Sequence, residues 1–282
     1  MWSYKFLEYL EYIVYGLIQG LTEFIPVSST AHLKVISLFF GIEDPGPSLS
    51  AFIQLGSVLA LIWYFRNDIC KFRSQSSNKI LDYLLHERLL RSILIGTIPI
   101  IFLGGAIKLF IPYFFDKFLR SNLSIALVSI LMAFFMYKAD SSKKGSINLK
   151  NHTYSDSLLI GVSQAFAIFP GVSRSGFTIS TALMSGWDRG DAAKFSFLLG
   201  MPAIFLAAIV EFISSFHSFP SSSFLPLIVG VTSTFFSSLL AIDFILKYLS
   251  SNGLKLFIIY RVVFGVLILL NLWLVKKNIQ LC

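Results

Sequence analysis

Two polar runs interrupt an otherwise apolar chain, and their residue types are those of an anion site. The first reads Gln19-Gly-Leu-Thr-Glu23-Phe-Ile-Pro-Val-Ser28-Ser29-Thr30-Ala-His32, the second Gln164-Ala-Phe-Ala-Ile-Phe-Pro170-Gly-Val-Ser173-Arg174-Ser175-Gly-Phe-Thr178. Gln19 and Glu23, four positions apart, share a face of a helix, and Ser29 and His32, three apart, share a face of the helix that follows. Ser28 is a natural N-cap that leaves the amides of Thr30 and Ala31 pointing toward the gap, and Ser173 caps a partner helix in the same way, with Arg174 just inside it. Two helix N-termini, one arginine and several hydroxyls converging on one point suit phosphate. Each piece also has a plainer reading. Pro-x-Ser-Ser is an ordinary cap, a lone intramembrane Glu a packing hydrogen bond, a lone His a satisfied polar contact, and Glu23 with Arg174 a structural ion pair. Taken together those readings leave the surplus hydroxyls and His32 without a role.

The elements that carry these runs belong to a membrane. Hydrophobic residues make up 55% of the 282 and charged ones 13%, against roughly 25% charged in soluble domains. Apolar stretches of spanning length fall near 50–65, 92–111, 121–138, 193–213, 224–246 and 255–275. Two others, 6–41 and 157–186, are broken in the middle by Pro26-Val-Ser28-Ser29 and Pro170-Gly171-Val-Ser173. Each reads as a helix, a break and a second helix, a form tolerated at membrane depth only inside protein or against a cavity. The expected fold is all-α: one integral membrane domain, 1–282, with about six transmembrane helices and two re-entrant broken-helix hairpins.

The breaks belong to a repeat. Gly16 and Gln19 match Gly161 and Gln164 at an offset of 145, while Pro26 with Pro170 and Gly56 with Gly200 match at 144. Residues 1–140 and 156–282 therefore read as two repeats. Basic residues collect in 66–91 and 138–155, whereas 216–223 has none. Placing the basic segments in the cytoplasm inverts the second repeat and puts both termini outside.

Other classes recede on the same residues. A formal charge of +8 reflects loop lysines and arginines, which argues against nucleic acid. Cys70 and Cys282 form neither a disulfide framework nor a zinc pattern. The N-terminal stretch, with Glu8 and Glu11, has no basic lead or cleavage site of a signal peptide. Glu8 and Glu11 are expected to be solvated, Asp188, Arg189, Asp191 and Lys194 to form a hydrated charge group, and Arg261 to snorkel from near a helix end. His86, His152 and His217 fall in loops.

The first run resembles the first motif of the bacterial undecaprenyl-diphosphate phosphatases of the bacitracin-resistance type, and Pro170–Thr178 resembles their second. Phe195-Ser-Phe-Leu-Leu-Gly-Met-Pro202 and the spacing of the spans fit as well, so the resemblance covers essentially the whole chain. It implies release of phosphate from a polyprenyl diphosphate in the bacterial plasma membrane, recycling the lipid carrier of cell-wall synthesis. Three positions depart from the family pattern. Gln19 stands where a second carboxylate is common, Ala31 replaces the usual Gly, and Lys34 adds a charge after the histidine.

For that reaction the expected nucleophile is Ser29, with His32 as acid/base, Arg174 and the two helix N-termini holding the diphosphate, and Glu23 activating the nucleophile or water. Gln19, Ser28, Thr30, Ser173, Ser175 and Thr178 are candidate substrate-binding residues. Glu23 is also the candidate ligand of a divalent cation, Mg or Ca. Expected partners are the lipid substrate, the bilayer and, as an open assembly, a second copy of the chain. The competing class is a transporter or flippase of an anionic lipid, which needs Arg174 and the helix ends but not Ser29 paired with His32.

Overall fold

The computed structural model describes residues 2–41, 44–67, 88–110, 118–142, 145–215 and 224–281. Most of the basic 66–91 segment, Lys143, Lys144, segment 216–223, His86, His217, Cys70 and Cys282 lie outside the described residues.

In hydrocarbon every backbone amide and carbonyl must be satisfied within its own segment, so apolar runs of this length fold as helices. In chain order they are α1 (Trp2–Phe24), α2 (Ser29–Phe40), α3 (Gly46–Tyr64), α4 (Arg88–Phe110), α5 (Asn122–Asp140), α6 (Tyr154–Ala165), α7 (Arg174–Met184), α8 (Arg189–Ser215), α9 (Phe224–Ser251) and α10 (Lys255–Leu281). A short 3₁₀ turn, Phe166–Ile168, follows α6. Five helices, α4, α5, α8, α9 and α10, are long and apolar enough to cross a membrane, and α3 contributes a shorter apolar helix. Helices α2, α6 and α7 have 12, 12 and 11 residues, about 17–18 Å each at 1.5 Å per residue, roughly half the hydrocarbon thickness. The chain is an all-α, multi-pass membrane protein with both breaks where the sequence places them. Helix α1, with 23 residues, is longer than α6, which precedes the second break.

Packing runs across the two halves of the chain. Helix α1 lies against α9 and α6 against α4, while α3 meets both α8 and α9, and α5 meets α10. The α1–α9 seam shows why small residues sit there. A Cβ on Gly16 would stand 2.4 Å from the Gly230 carbonyl oxygen, and one on Gly20 2.1 Å from Ser237 Oγ. Backbones this close let α9 hydroxyls donate directly to α1 carbonyls, Ser233 to Ile13 at 3.0 Å and Ser237 to Gly16 at 3.1 Å. The main core gathers Phe24, Leu61, Ile160, Phe195, Phe197 and Ile242 from both halves. Large apolar side chains such as Phe102 and Leu240 point outward, as expected where the solvent is lipid.

Two groups outside the site are more engaged than their places in turns and loops suggest, His152 lying in a loop as expected. The charges near 188–194 keep access to solvent, Asp188 being exposed, and also form a joint. Arg189 Nη1 meets Asp140 Oδ1 at 2.5 Å, Asp188 Oδ1 accepts from the Gly190 amide at 2.9 Å, and Asp191 Oδ2 accepts from the Leu149 amide at 3.1 Å. His152 is fully buried against Trp187 and Phe195, with Ser92 Oγ 2.8 Å from Nε2 and the Leu149 carbonyl 3.0 Å from Nδ1.

Candidate active site

Each break is built the same way. After Pro26 the chain turns so that Ser28 takes φ 77°, and after Pro170 so that Ser173 takes φ 68°. These are the only positive-φ non-glycine residues described, and they occupy the two cap positions. A non-glycine residue there costs on the order of 1–3 kcal/mol and persists only where its surroundings impose it. Ser28 Oγ accepts from the Ala31 amide at 3.4 Å and Ser173 Oγ from the Gly176 amide at 3.2 Å, so both serines cap as the sequence predicts.

The two breaks meet. Ser175 Oγ, on the first turn of α7, donates across to the Glu23 carbonyl at 3.3 Å, with the Ile25 carbonyl at 3.5 Å. Glu23 closes α1 and is almost fully buried. Its Oε2 accepts from Gln19 Nε2 at 2.8 Å and from Ser29 Oγ at 2.7 Å, and its Oε1 pairs with Arg174 Nη2 at 3.3 Å. Arg174 Nη1 donates to the Ser196 carbonyl at 3.0 Å, and the guanidinium lies on Gly200, where a Cβ would stand 1.7 Å from Nη1. Thr178 Oγ1 donates to the Arg174 carbonyl at 2.8 Å and lies 2.5 Å from Ser196 Oγ. Ser173 Oγ and Ser175 Oγ are 3.4 Å apart. Thr30, half-buried on the first turn of α2, takes no part in these bonds.

The structure thus brings together Gln19, Glu23, Ser29, Arg174 and Ser175, with Ser28, Ser173 and Thr178 supporting them. It does not join Ser29 to His32. The Ser28 carbonyl lies 2.7 Å from His32 Nδ1 and can only accept, so Nδ1 carries the proton. His32 Nε2 is then the acceptor for the Tyr260 hydroxyl at 2.6 Å, and the imidazole stacks on Phe264 at 4.5 Å. The hydroxyl proton of Ser29 points at Glu23, not at His32. Lys34 pairs with Asp44 at 2.7 Å, apart from these bonds.

Three residues were not assigned from the sequence. Ser196 lies within the Phe195–Pro202 stretch with no spacing signal of its own, and Tyr260 carries none either. Arg261 was expected to snorkel but is fully buried on α10. Its NH groups donate to the carbonyls of Ser129 and Pro26, each at 3.3 Å, and to that of Gly171. One signal pointed to it: a guanidinium six residues inside a hydrophobic span.

The electrostatics favour an anion. Arg174 pairs with the buried carboxylate Glu23, and a second buried guanidinium, Arg261, holds the carbonyls of Pro26 and Gly171 in the two breaks, beside two helix N-termini. No group of three or more His, Cys, Asp or Glu among the described residues forms a metal cage. The one carboxylate is engaged by a guanidinium, an amide and a hydroxyl. This donor set does not fit a resident divalent cation.

A family model described as bacitracin resistance protein BacA matches residues 12–267. Among similar curated proteins, one from Prochlorococcus marinus (strain MIT 9312), named undecaprenyl-diphosphatase, is 79% identical over 95% of this chain and all of its own length. The protein of the same name from strain AS9601 is 77% identical over 95% of this chain and 98% of its own. A more distant one, from strain MIT 9313, retains 46% identity over 91% of this chain and 87% of its own. With both breaks and their polar residues lying inside the matched region, the chain belongs to the bacitracin resistance protein BacA family.

Proposed function

We infer that this protein is an undecaprenyl-diphosphatase, a membrane hydrolase that converts undecaprenyl diphosphate to the monophosphate and inorganic phosphate. The observation that carries the chemistry is the 2.7 Å bond from Ser29 Oγ to Glu23 Oε2, made where the two breaks meet and beside Arg174. A hydroxyl hydrogen-bonded to a buried carboxylate is poised to lose its proton as it attacks.

On this reading Ser29 Oγ attacks the terminal phosphorus while Glu23 takes its proton. The bond from that phosphorus to the bridging oxygen breaks, and its electron pair leaves with undecaprenyl phosphate, which receives the proton from Glu23. Water then attacks the phosphoserine, Glu23 takes a proton from the water and returns one to Ser29 Oγ, and phosphate departs. Arg174 exchanges its contact with Glu23 for the diphosphate and, with the amides at the starts of α2 and α7, stabilises the charge that develops. With Nε2 unprotonated, His32 acts through that nitrogen as a base or as the acceptor that orients the Tyr260 hydroxyl, and the leaving group's proton comes from Glu23. Gln19 holds Glu23, Thr178 supports the Arg174 backbone, and Ser28, Thr30, Ser173 and Ser175 surround the phosphates.

A divalent cation, Mg or Ca, accompanying the diphosphate would offset its charge, and Glu23 is the carboxylate of the site that could hold it. The pairing of α1 with α9 and α6 with α4 supports two inverted repeats, 1–140 and 156–282, and the basic residues of 66–91 and 138–155 support both termini outside a bacterial plasma membrane. A homodimer is compatible with the exposed apolar faces. A transporter of anionic lipid would need Arg174 but not the hydroxyl on Glu23.

The test is capture of the intermediate. Labelled terminal phosphate should be trapped on Ser29 during turnover. Turnover without any label on the protein would transfer the attack to water, and transport of prenyl phosphates across liposomes without release of phosphate would replace the phosphatase with a carrier.

A further inference from the structure

Arg261 is the one charged side chain among the largest fully buried ones of the described residues, and none of its hydrogen bonds goes to a carboxylate. It is fully buried, and every hydrogen bond recorded for its guanidinium goes to a backbone carbonyl. Burying a guanidinium against neutral acceptors is expensive at membrane depth, because carbonyl dipoles replace only part of its hydration. Such a charge persists where it does something an apolar side chain cannot.

The identity of those carbonyls shows what that is. Pro26 belongs to the first break and Gly171 to the second, while Ser129 belongs to α5. Ser129 Oγ in turn donates to the Arg261 carbonyl at 3.2 Å, anchoring α10 on α5. One planar fork therefore holds both breaks at a fixed separation from a third support. Pro26 lies three residues from Glu23 and from Ser29, and Gly171 lies three residues from Arg174. The direct bonds between the breaks are two, Arg174 to Glu23 and Ser175 to Glu23, each at 3.3 Å, the same length as the Arg261 bond to Pro26. The first of these must open when Arg174 turns to the substrate.

We propose that Arg261 is a positioning residue that fixes the spacing of the two breaks, and hence of Ser29 and Glu23 relative to Arg174, through each turnover. The assignment rests on the catalytic reading above, but its geometry can be measured without it. An ideal Cβ on Gly176 stands 3.4 Å from Pro26 Cβ, at the short end of the roughly 3.5–4.5 Å that a disulfide joins. A Pro26→Cys/Gly176→Cys pair, in a chain also carrying Cys70→Ser and Cys282→Ser, therefore reports break spacing as a rate of crosslinking on mild oxidation.

The experiment combines that rate with steady-state kinetics on undecaprenyl diphosphate, for Arg261→Lys and Arg261→Gln in folded, monodisperse detergent preparations. Lysine keeps the charge without the fork, and glutamine keeps donors without the charge. Both should slow crosslinking, and in the chain without the cysteine pair both should lower kcat on the order of a hundredfold, the scale of a ~1 Å misplacement, with KM nearly unchanged. Wild-type kcat and crosslinking in either variant would overturn the proposal. So would a raised KM with kcat retained, which marks a ground-state contact, or a lost kcat with unaltered crosslinking, which marks a role for charge alone. Failure of both variants to fold would assign Arg261 to the scaffold and equally overturn it. Slowed crosslinking with full activity would instead refute the catalytic reading, since Glu23 and Arg174 would not need to act together.

Discussion

If Ser29 and Glu23 act as one unit, their losses must not multiply. The 2.7 Å bond makes Glu23 the only recorded acceptor of the Ser29 proton, so removing either partner should remove the same step. Loss of a positioned general base costs roughly 10²–10⁴-fold, and Glu23→Gln should fall in that range. Ser29→Ala should fall at least as far. With about 10³-fold for each, independent roles would give a double variant down about 10⁶-fold, whereas a single unit leaves it near 10³. The difference is about 4 kcal/mol of barrier. Stability needs its own control. Glutamine offers one acceptor oxygen where three donors now converge, Gln19 Nε2, Ser29 Oγ and Arg174 Nη2. Breaking a buried pair costs about 3–5 kcal/mol, so the thermal midpoint should drop in Glu23→Gln and recover partly with Arg174→Met. The assay is phosphate release at saturating lipid, normalised to folded protein. Multiplying losses, or near-wild-type turnover in Ser29→Ala, would refute the pairing.

Further outcomes are expected elsewhere. Gly200→Ala would place a Cβ 1.7 Å from Arg174 Nη1; because the guanidinium can swing aside, the protein should fold yet lose on the order of a hundredfold in kcat, and unchanged turnover would show that the seat of Arg174 is immaterial. Tyr260→Phe removes the donor to His32 Nε2, worth about 1 kcal/mol or roughly fivefold in rate, with an altered pH profile; an identical profile would detach Tyr260 from the chemistry. His152, in the loop before α6, is held below its ordinary 6.5 chiefly by burial. The unfolded chain therefore binds the extra proton first, and stability should be full above 6.5 and fall as pH drops below it. A thermal midpoint that ignores pH between about 7.5 and about 5, or the same fall in His152→Gln, would contradict that.

How much of this was legible in the residues differs from group to group. Gln19 and Glu23 share one uninterrupted helix, so their spacing alone fixed the 2.8 Å contact. Ser29 and His32 share a helix too, yet they turn apart. The backbone at Ser28 swings Ser29 back to the end of α1, while the His32 ring is drawn to the Ser28 carbonyl and Tyr260. Spacing places Cβ atoms, and it does not choose rotamers or partners from other helices. Arg261 shows the same limit. Distance from a helix end suggested snorkelling, but burial depends on which helices surround α10, and that is decided by packing between distant segments.

The α1–α9 seam bears on the order in which the protein is made. Helix α1 is the first described segment to leave the ribosome, and its Gly16–Gly20 face meets α9, Phe224–Ser251, which is among the last. Until then that face lacks the α9 backbone and hydroxyls it packs against, and Glu23 at its end has no Arg174 until α7 is made. The chain must therefore hold an unfinished helix, with a buried-type carboxylate, through the synthesis of some two hundred residues. Contacts of such long separation form late and slowly. The candidate site draws on α1, α7 and α10, so a product that stops before Arg261 would lack the fork that joins its two breaks.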